Sequence, residues 1–145
     1  MFVNTDDGLG YRTPEGLILH TGNVAAGIKI FATIRMLVDK GHLEEGSILL
    51  LDEPEAHLHP QWINILSEVI VSLVKDLNIT IVMTTHNPQL MMGIESKSKG
   101  IVDKTTYYHL SSDDGTISFE DVTDNIEKIY DEMAGPIREA ASPFW

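Results

Sequence analysis

The segment of this chain best suited to chemistry is Ile48-Leu49-Leu50-Leu51-Asp52-Glu53-Pro54, a hydrophobic run that ends in two adjacent carboxylates. Strands of an open α/β sheet point their C-terminal ends at the ligand crevice. A carboxylate placed there holds Mg²⁺, usually through water, and a second orients an attacking water. Successive strand residues alternate sides, so one of Asp52 and Glu53 is available to a metal and the other to a nucleophile. A second candidate is His86 in Thr84-Thr85-His86-Asn87-Pro88, 33 residues after Glu53 and 34 after Asp52. Between them lies Glu55-Ala56-His57-Leu58-His59-Pro60. His57 and His59 suit a metal such as zinc when they sit on a strand or loop. A structural role, with ring nitrogens hydrogen-bonded to nearby loop backbone, suits them better, since no third ligand of obvious spacing accompanies them. The weakest candidate is Asn23-Val24-Ala25-Ala26-Gly27-Ile28-Lys29. Glycine and backbone amides at a helix N-terminus make an anion site, although an ordinary glycine before a core helix looks the same.

These residues need elements to position them. Residues 47–52 read as a parallel strand buried on both faces, because the run is short, continuous and apolar. Pro60 suits the first position of a helix. Trp62, Leu66, Val69, Ile70, Leu73 and Leu77 then recur at spacings of three and four. Residues 79–84 are a second, β-branched strand. Strand, helix of about five turns and strand make a right-handed βαβ unit, which brings Asp52 and His86 to one sheet edge.

Elsewhere, turn-formers at Asp7-Gly8, Gly10 and Pro14-Glu15-Gly16 predict a hairpin or meander over residues 1–20, with Leu17–Leu19 as a strand. A helix is expected over 28–39, apolar on most sides, with Gly41 as its stop. Asn87-Pro88 opens a short helix over 89–94. Two strands, 105–110 and 116–119, flank the turn Asp113-Asp114-Gly115. Asp124 caps a last helix that Gly135-Pro136 interrupts. The expected fold is α/β: a parallel β-sheet core with flanking helices and small antiparallel additions that complete or flank the sheet.

The 145 residues carry 22 acidic and 10 basic side chains, for a net charge of -12. That argues against a large phosphate-backbone footprint, so nucleic acid is not indicated as a partner. The apolar runs are too short to span a membrane. No basic-then-apolar leader is present, and cytoplasm is the default location. The chain has no cysteine, which excludes disulfides and thiolate metal sites.

The ordered segments resemble the nucleotide site of ABC-type and SMC-like ATPases, including the OLD-like branch. Ile48–Glu53 resembles the Walker B motif, which implies Mg²⁺ at Asp52 and a catalytic base at Glu53. Glu53-Pro54-Glu55-Ala56-His57-Leu58-His59-Pro60 resembles the D-loop region, which implies that His57 and His59 lie where two nucleotide sites are coupled. Thr84–Pro88 resembles the switch or H-loop, which implies that His86 contacts the γ-phosphate. Asn23, Gly27 and Lys29 resemble the signature segment that binds ATP held by the opposite protomer, with Ala25 and Ala26 where a serine is expected. No glycine is directly followed by lysine, so no Walker A loop is recognisable. The resemblance covers residues 17–95 well and the remainder loosely. It implies that residues 1–145 form the C-terminal portion of a single ATPase domain without its Walker A portion, using ATP and Mg²⁺ and inactive alone. It also implies a separate Walker A lobe, a homodimer of heads and an effector such as a nuclease. Two other readings stand beside it. One is a non-catalytic interaction module that completes a partner's ATP site. The other is a small metal-dependent hydrolase using Asp52, Glu53, His57, His59 and His86. Apolar surface, including parts of the helix at 28–39, is expected to lie open and to favour self-association.

Overall fold

The computed structural model describes residues 2–5, 8–12, 18–20, 26–102 and 105–141. The elements in chain order are β1 (Phe2–Thr5), β2 (Gly8–Arg12), β3 (Ile18–His20), α1 (Ala26–Asp39), β4 (Ile48–Asp52), α2 (Pro60–Leu77), β5 (Thr80–Thr84), α3 (Pro88–Ser98), β6 (Tyr108–Asp113), β7 (Thr116–Asp121) and α4 (Glu127–Ala141). The architecture is α/β, with a parallel pair at its centre and antiparallel strands toward each end.

The strand–helix–strand unit forms as its periodicity requires. β4 and β5 pair in parallel, Ile48 opposite Thr80 through Asp52 opposite Thr84. α2 begins at a double signal: His59 caps it, its Nδ1 accepting the Gln61 N–H at 3.4 Å, and Pro60 occupies the first turn, where a missing N–H is harmless. The helix ends at Asn78, whose φ of 51° is the left-handed conformation that terminates helices. α3 repeats this start with Asn87 and Pro88. Asn87 Oδ1 accepts the N–H groups of Gln89 and Leu90 at 2.9 and 3.2 Å. It runs to Ser98, one turn beyond the expected 89–94, and its inner face carries Leu90, Met91, Ile94 and Ser98.

One core holds this unit together. Ile34 of α1, Leu49 of β4, Ile63, Leu66, Ile70 and Leu73 of α2, and Leu90 and Ile94 of α3 share it. Leu66 and Leu90 are fully buried, sites where truncation to alanine costs about 2–5 kcal/mol. Phe31 and Trp62 meet with ring centroids 5.6 Å apart and planes tilted by 54°, which docks α1 on α2. Gly93 lets α3 approach α2 closely: an added Cβ would lie 2.7 Å from Ser67 Oγ. Gly41, at φ 70°, follows α1 where its stop was expected.

Three expectations need correction and a fourth is narrowed. β4 is buried on one face only. Leu49 is buried, but Ile48 and Leu50 are 69% and 73% exposed and Val82 of β5 is 55% exposed, because the described helices cover a single side of the pair. The open apolar surface therefore lies on the sheet, whereas α1 keeps Ile34 buried and Ile30, Phe31, Leu37 and Val38 packed on the core. Of the two arrangements expected for the antiparallel segments, completing the sheet or flanking it, completion does not occur among the described residues. β1–β2–β3 is one sheet and β6–β7 is another, each with its own ladder. The last helix starts at Glu127, beyond Asp124, and continues through Gly135-Pro136 to Ala141. Proline costs a helix one hydrogen bond and a kink without forcing an end.

α4 docks through Ile129, which shares a second core with Met91 of α3 and Val122. Two side-chain contacts clasp it to the hairpin: Glu132 with His109 at 2.6 Å, and the ion pair of Lys128 with Glu120. The Lys128 ammonium holds the Glu120 carboxyl below the usual carboxylate range. Among the described residues, no helix is long and apolar enough to cross a membrane.

Candidate active site at the β4–β5 edge

Parallel register carries Asp52 and Thr84 to the same C-terminal edge. The Thr84 hydroxyl donates to Asp52 Oδ1 and accepts the backbone N–H of Glu53 at 3.2 Å. Asp52 is thus held at the strand end with carboxylate oxygen open to solvent. A shallow depression of about 230 Å³ lies beside it, lined by Leu50, Leu51, Asp52, Val82, Met83 and Thr84.

Glu53 leaves the strand with φ at 40°. This left-handed geometry is disfavoured for a residue with a Cβ, and such outliers concentrate where side-chain aim matters. Here the turn sends its carboxylate to His86, with Oε1 and Nδ1 2.7 Å apart. An ionised carboxylate only accepts, so Nδ1 is the donor. The two residues stand 33 apart in sequence. Both side chains remain substantially exposed, so they are reachable by a ligand.

The loop between Glu53 and α2 is built from tight turns. Ala56 donates to the Glu53 carbonyl and Leu58 to that of Glu55, at 2.9 Å each. His57 sits at φ 67° with its side chain exposed. His59 is the cap of α2, its ring Nδ1 accepting the N–H of Gln61 within the helix rather than one from the loop backbone. Among the described residues, no three histidine or carboxylate side chains converge on a metal-sized site. The zinc reading of His57 and His59 and the metal-hydrolase reading thus lack a donor set. Gly27 lies in the first turn of α1 and Lys29 is exposed on it, while Asn23 lies outside the described residues. Among the described residues, no hydrogen bond or ion pair joins Lys29 to Asp52, Glu53 or His86.

Residues 28–92 match the family described as "AAA domain, putative AbiEii toxin, Type IV TA system". Two curated relatives are the high-affinity branched-chain amino acid transport ATP-binding proteins LivG of Salmonella typhimurium (strain LT2) and Escherichia coli (strain K12). Each is 32% identical over 82 residues, covering 57% of this chain and 32% of the relative. The chain therefore spans about a third of the length of those relatives. A solved structure described as "Structural biochemistry of ATP-driven dimerization and DNA stimulated activation of SMC ATPases" superposes with a TM-score of 0.58 at 13% identity. The match covers 86% of this chain and 71% of that one. Residues 28–92 are thus similar to AAA-type ATPase domains, and the fold is similar to that of an SMC ATPase.

The fold unites three of the expected residues, Asp52, Glu53 and His86, in one cluster. Three participants escaped the sequence reading. Thr84 orders Asp52, Thr85 donates to Glu55 Oε1, and Glu55 is buried. The threonines read only as β-formers, although two hydroxyls at the end of a strand that pairs with Asp52-Glu53 are a usable signal. Nothing in the sequence marks Glu55 as buried: it stands between buried Pro54 and exposed Ala56. Asp52 by itself offers carboxylate oxygen at a wet, one-sided edge, a hard donor of the kind that suits Mg²⁺ better than a softer metal.

Proposed function

We propose that this chain supplies the metal carboxylate, the catalytic base and the switch histidine of an Mg-ATP-hydrolysing site. The observation that carries this reading is the 2.7 Å contact between Glu53 and His86 beside Asp52 at one sheet edge. Asp52 would hold Mg²⁺, which when bound neutralises charge on the phosphates. Glu53 accepts the proton of the water that attacks the γ-phosphorus in line. His86, oriented through Nδ1 by Glu53, presents Nε2 to a γ-phosphate oxygen, a contact that requires a proton on both ring nitrogens.

A phosphate-cradling loop must come from another segment, since no glycine in these 145 residues precedes a lysine. The open apolar face of Ile48, Leu50 and Val82 is suited to covering by such a Walker A lobe. The working unit is a homodimer of heads in the cytoplasm, with His57 and His59 in the D-loop. Asn23, Gly27 and Lys29 contact ATP across the interface. An effector such as a nuclease is a family-level possibility that no residue here specifies.

A second reading rests on Ala25 and Ala26, which remove the hydroxyl donor expected in the signature segment. On it, the chain is a non-catalytic module completing a partner's site. Titration calorimetry with Mg-ATP tests the first reading. The chain alone should bind no nucleotide, and the assembly that includes a Walker A lobe should bind it. Turnover by that assembly should fall about 10²–10⁴-fold in Glu53→Gln, the range for loss of a general base. Turnover that survives this change overturns the catalytic reading, and a nucleotide-dependent complex without turnover in the wild type favours the second.

A further inference from the structure

The β4–α2 loop carries one carboxylate that the ATPase chemistry does not use. Glu55 is only 5% exposed, whereas Asp52 and Glu53 beside it are open to solvent. A carboxylate leaves water at high cost unless hydrogen bonds replace its hydration. One replacement is present: the Thr85 hydroxyl donates to Glu55 Oε1. The same oxygen of Thr85 accepts the backbone N–H of Asn87 at 3.0 Å. A hydroxyl has one proton and two lone pairs, so both bonds coexist. Thr85 and Asn87 are the residues on either side of His86. The backbone on both sides of the histidine therefore meets at the half-buried Thr85 hydroxyl, which is itself anchored on buried Glu55, and His86 reaches outward to Glu53.

The second oxygen, Glu55 Oε2, is buried with no hydrogen-bond partner among the described residues. A bare buried acceptor destabilises the fold, so stability alone does not account for a glutamate here. We propose that Glu55 is a positioning residue for the switch histidine. Acting through Thr85 Oγ1, it fixes the chain on both sides of His86 so that Nδ1 meets the Glu53 carboxylate. Its importance to catalysis rests on the ATPase reading of Glu53 and His86. The coupling itself is a property of the folded chain.

The test is the tautomer of His86, read from ring ¹⁵N chemical shifts of the full chain at about pH 8, where an ordinary histidine is neutral. Free imidazole side chains favour the Nε2–H form, and the Glu53 contact selects Nδ1–H. Glu55→Ala and Thr85→Val should each lower the Nδ1–H share several-fold, as loss of a hydrogen-bonded anchor implies, and toward the value of a Glu53→Ala control. Thr85→Ser keeps the hydroxyl and should keep the wild-type share, an outcome that a bulk packing role of Thr85 does not produce. Amide spectra of α2 and α3 confirm that each variant is folded. Should Glu55→Ala fail to fold, Glu55→Gln, which retains an acceptor for Thr85, should hold the wild-type tautomer while Thr85→Val loses it. A wild-type Nδ1–H share in folded Thr85→Val overturns the proposal. The measurement needs no nucleotide, so its result is independent of whether Glu53→Gln abolishes turnover.

Discussion

Asp52, Glu53 and His86 divide their work by what their neighbours leave free. One oxygen of Asp52 accepts the Thr84 hydroxyl, and the carboxylate stays open to solvent for a cation. Glu53 and His86 hold each other. On the proposed function, removing the histidine removes both a phosphate contact and the partner that aims the base. His86→Ala should lower ATP turnover of the assembled enzyme about 10²–10³-fold, the range for loss of one transition-state donor, with little change in the KM for Mg-ATP. Steady-state kinetics check this, and an equal loss in binding would place His86 in nucleotide affinity instead. The motif was legible at this scale because both carboxylates and the histidine lie at strand ends, where side-chain type speaks for itself. The two threonines offered a signal that went unread, and Glu55 offered none, since its burial depends on how the loop folds back.

The elements are set by helix starts and by one close crossing. His59-Pro60 and Asn87-Pro88 each combine a cap with a proline, which is why both helices begin where the sequence placed them. Asn87→Ala leaves the N–H groups of Gln89 and Leu90 unpaired and should lower stability by about 1 kcal/mol in urea unfolding. It also loosens the segment that carries His86. Gly93 is a different constraint. A methyl group there meets Ser67 Oγ at 2.7 Å and Ser67 Cβ at 2.9 Å. Gly93→Ala should destabilise by about 1–2 kcal/mol, because overpacking outweighs the alanine preference of helices. Combining it with Ser67→Ala should recover part of that loss in the same assay. The short helix predicted over 89–94 gave no hint of this crossing, since its packing partner lies on α2, far away in sequence.

For the whole molecule, the uncovered face of β4 and β5 and the C-terminal layer make separate predictions. Leu50→Lys places charge on an apolar residue that is 73% exposed. It should leave unfolding free energy within about 0.5 kcal/mol of wild type while reducing self-association in sedimentation. In the second core, the Tyr130 hydroxyl donates to Glu95 Oε2 at 2.8 Å. Burial first, then that bond and the charge of Glu95, push the Tyr130 hydroxyl well above the ordinary tyrosine range. Tyr107 is pushed the same way, by burial and then by Glu95, with Ser98 acting in the opposite direction. Both groups stay neutral in the folded chain at pH values where the unfolded chain ionises. Their contribution is complete below about pH 10 and is lost as pH rises through that range. Alkaline unfolding of Tyr130→Phe should accordingly be shallower above pH 10 than that of wild type, measured by denaturant midpoints across pH.

The sequence by itself determined the order of elements, the parallel strand–helix–strand unit and the identity of Asp52, Glu53 and His86. Periodicity, capping residues and strand-end carboxylates are local signals, readable without knowing what packs against what. Tertiary structure decided which face of β4 is covered, that the antiparallel strands form separate sheets, and that Glu55 is buried behind Thr85. Those features depend on which surfaces meet. An apolar strand looks the same whether one side or both are packed, and a glutamate looks the same until a loop closes over it.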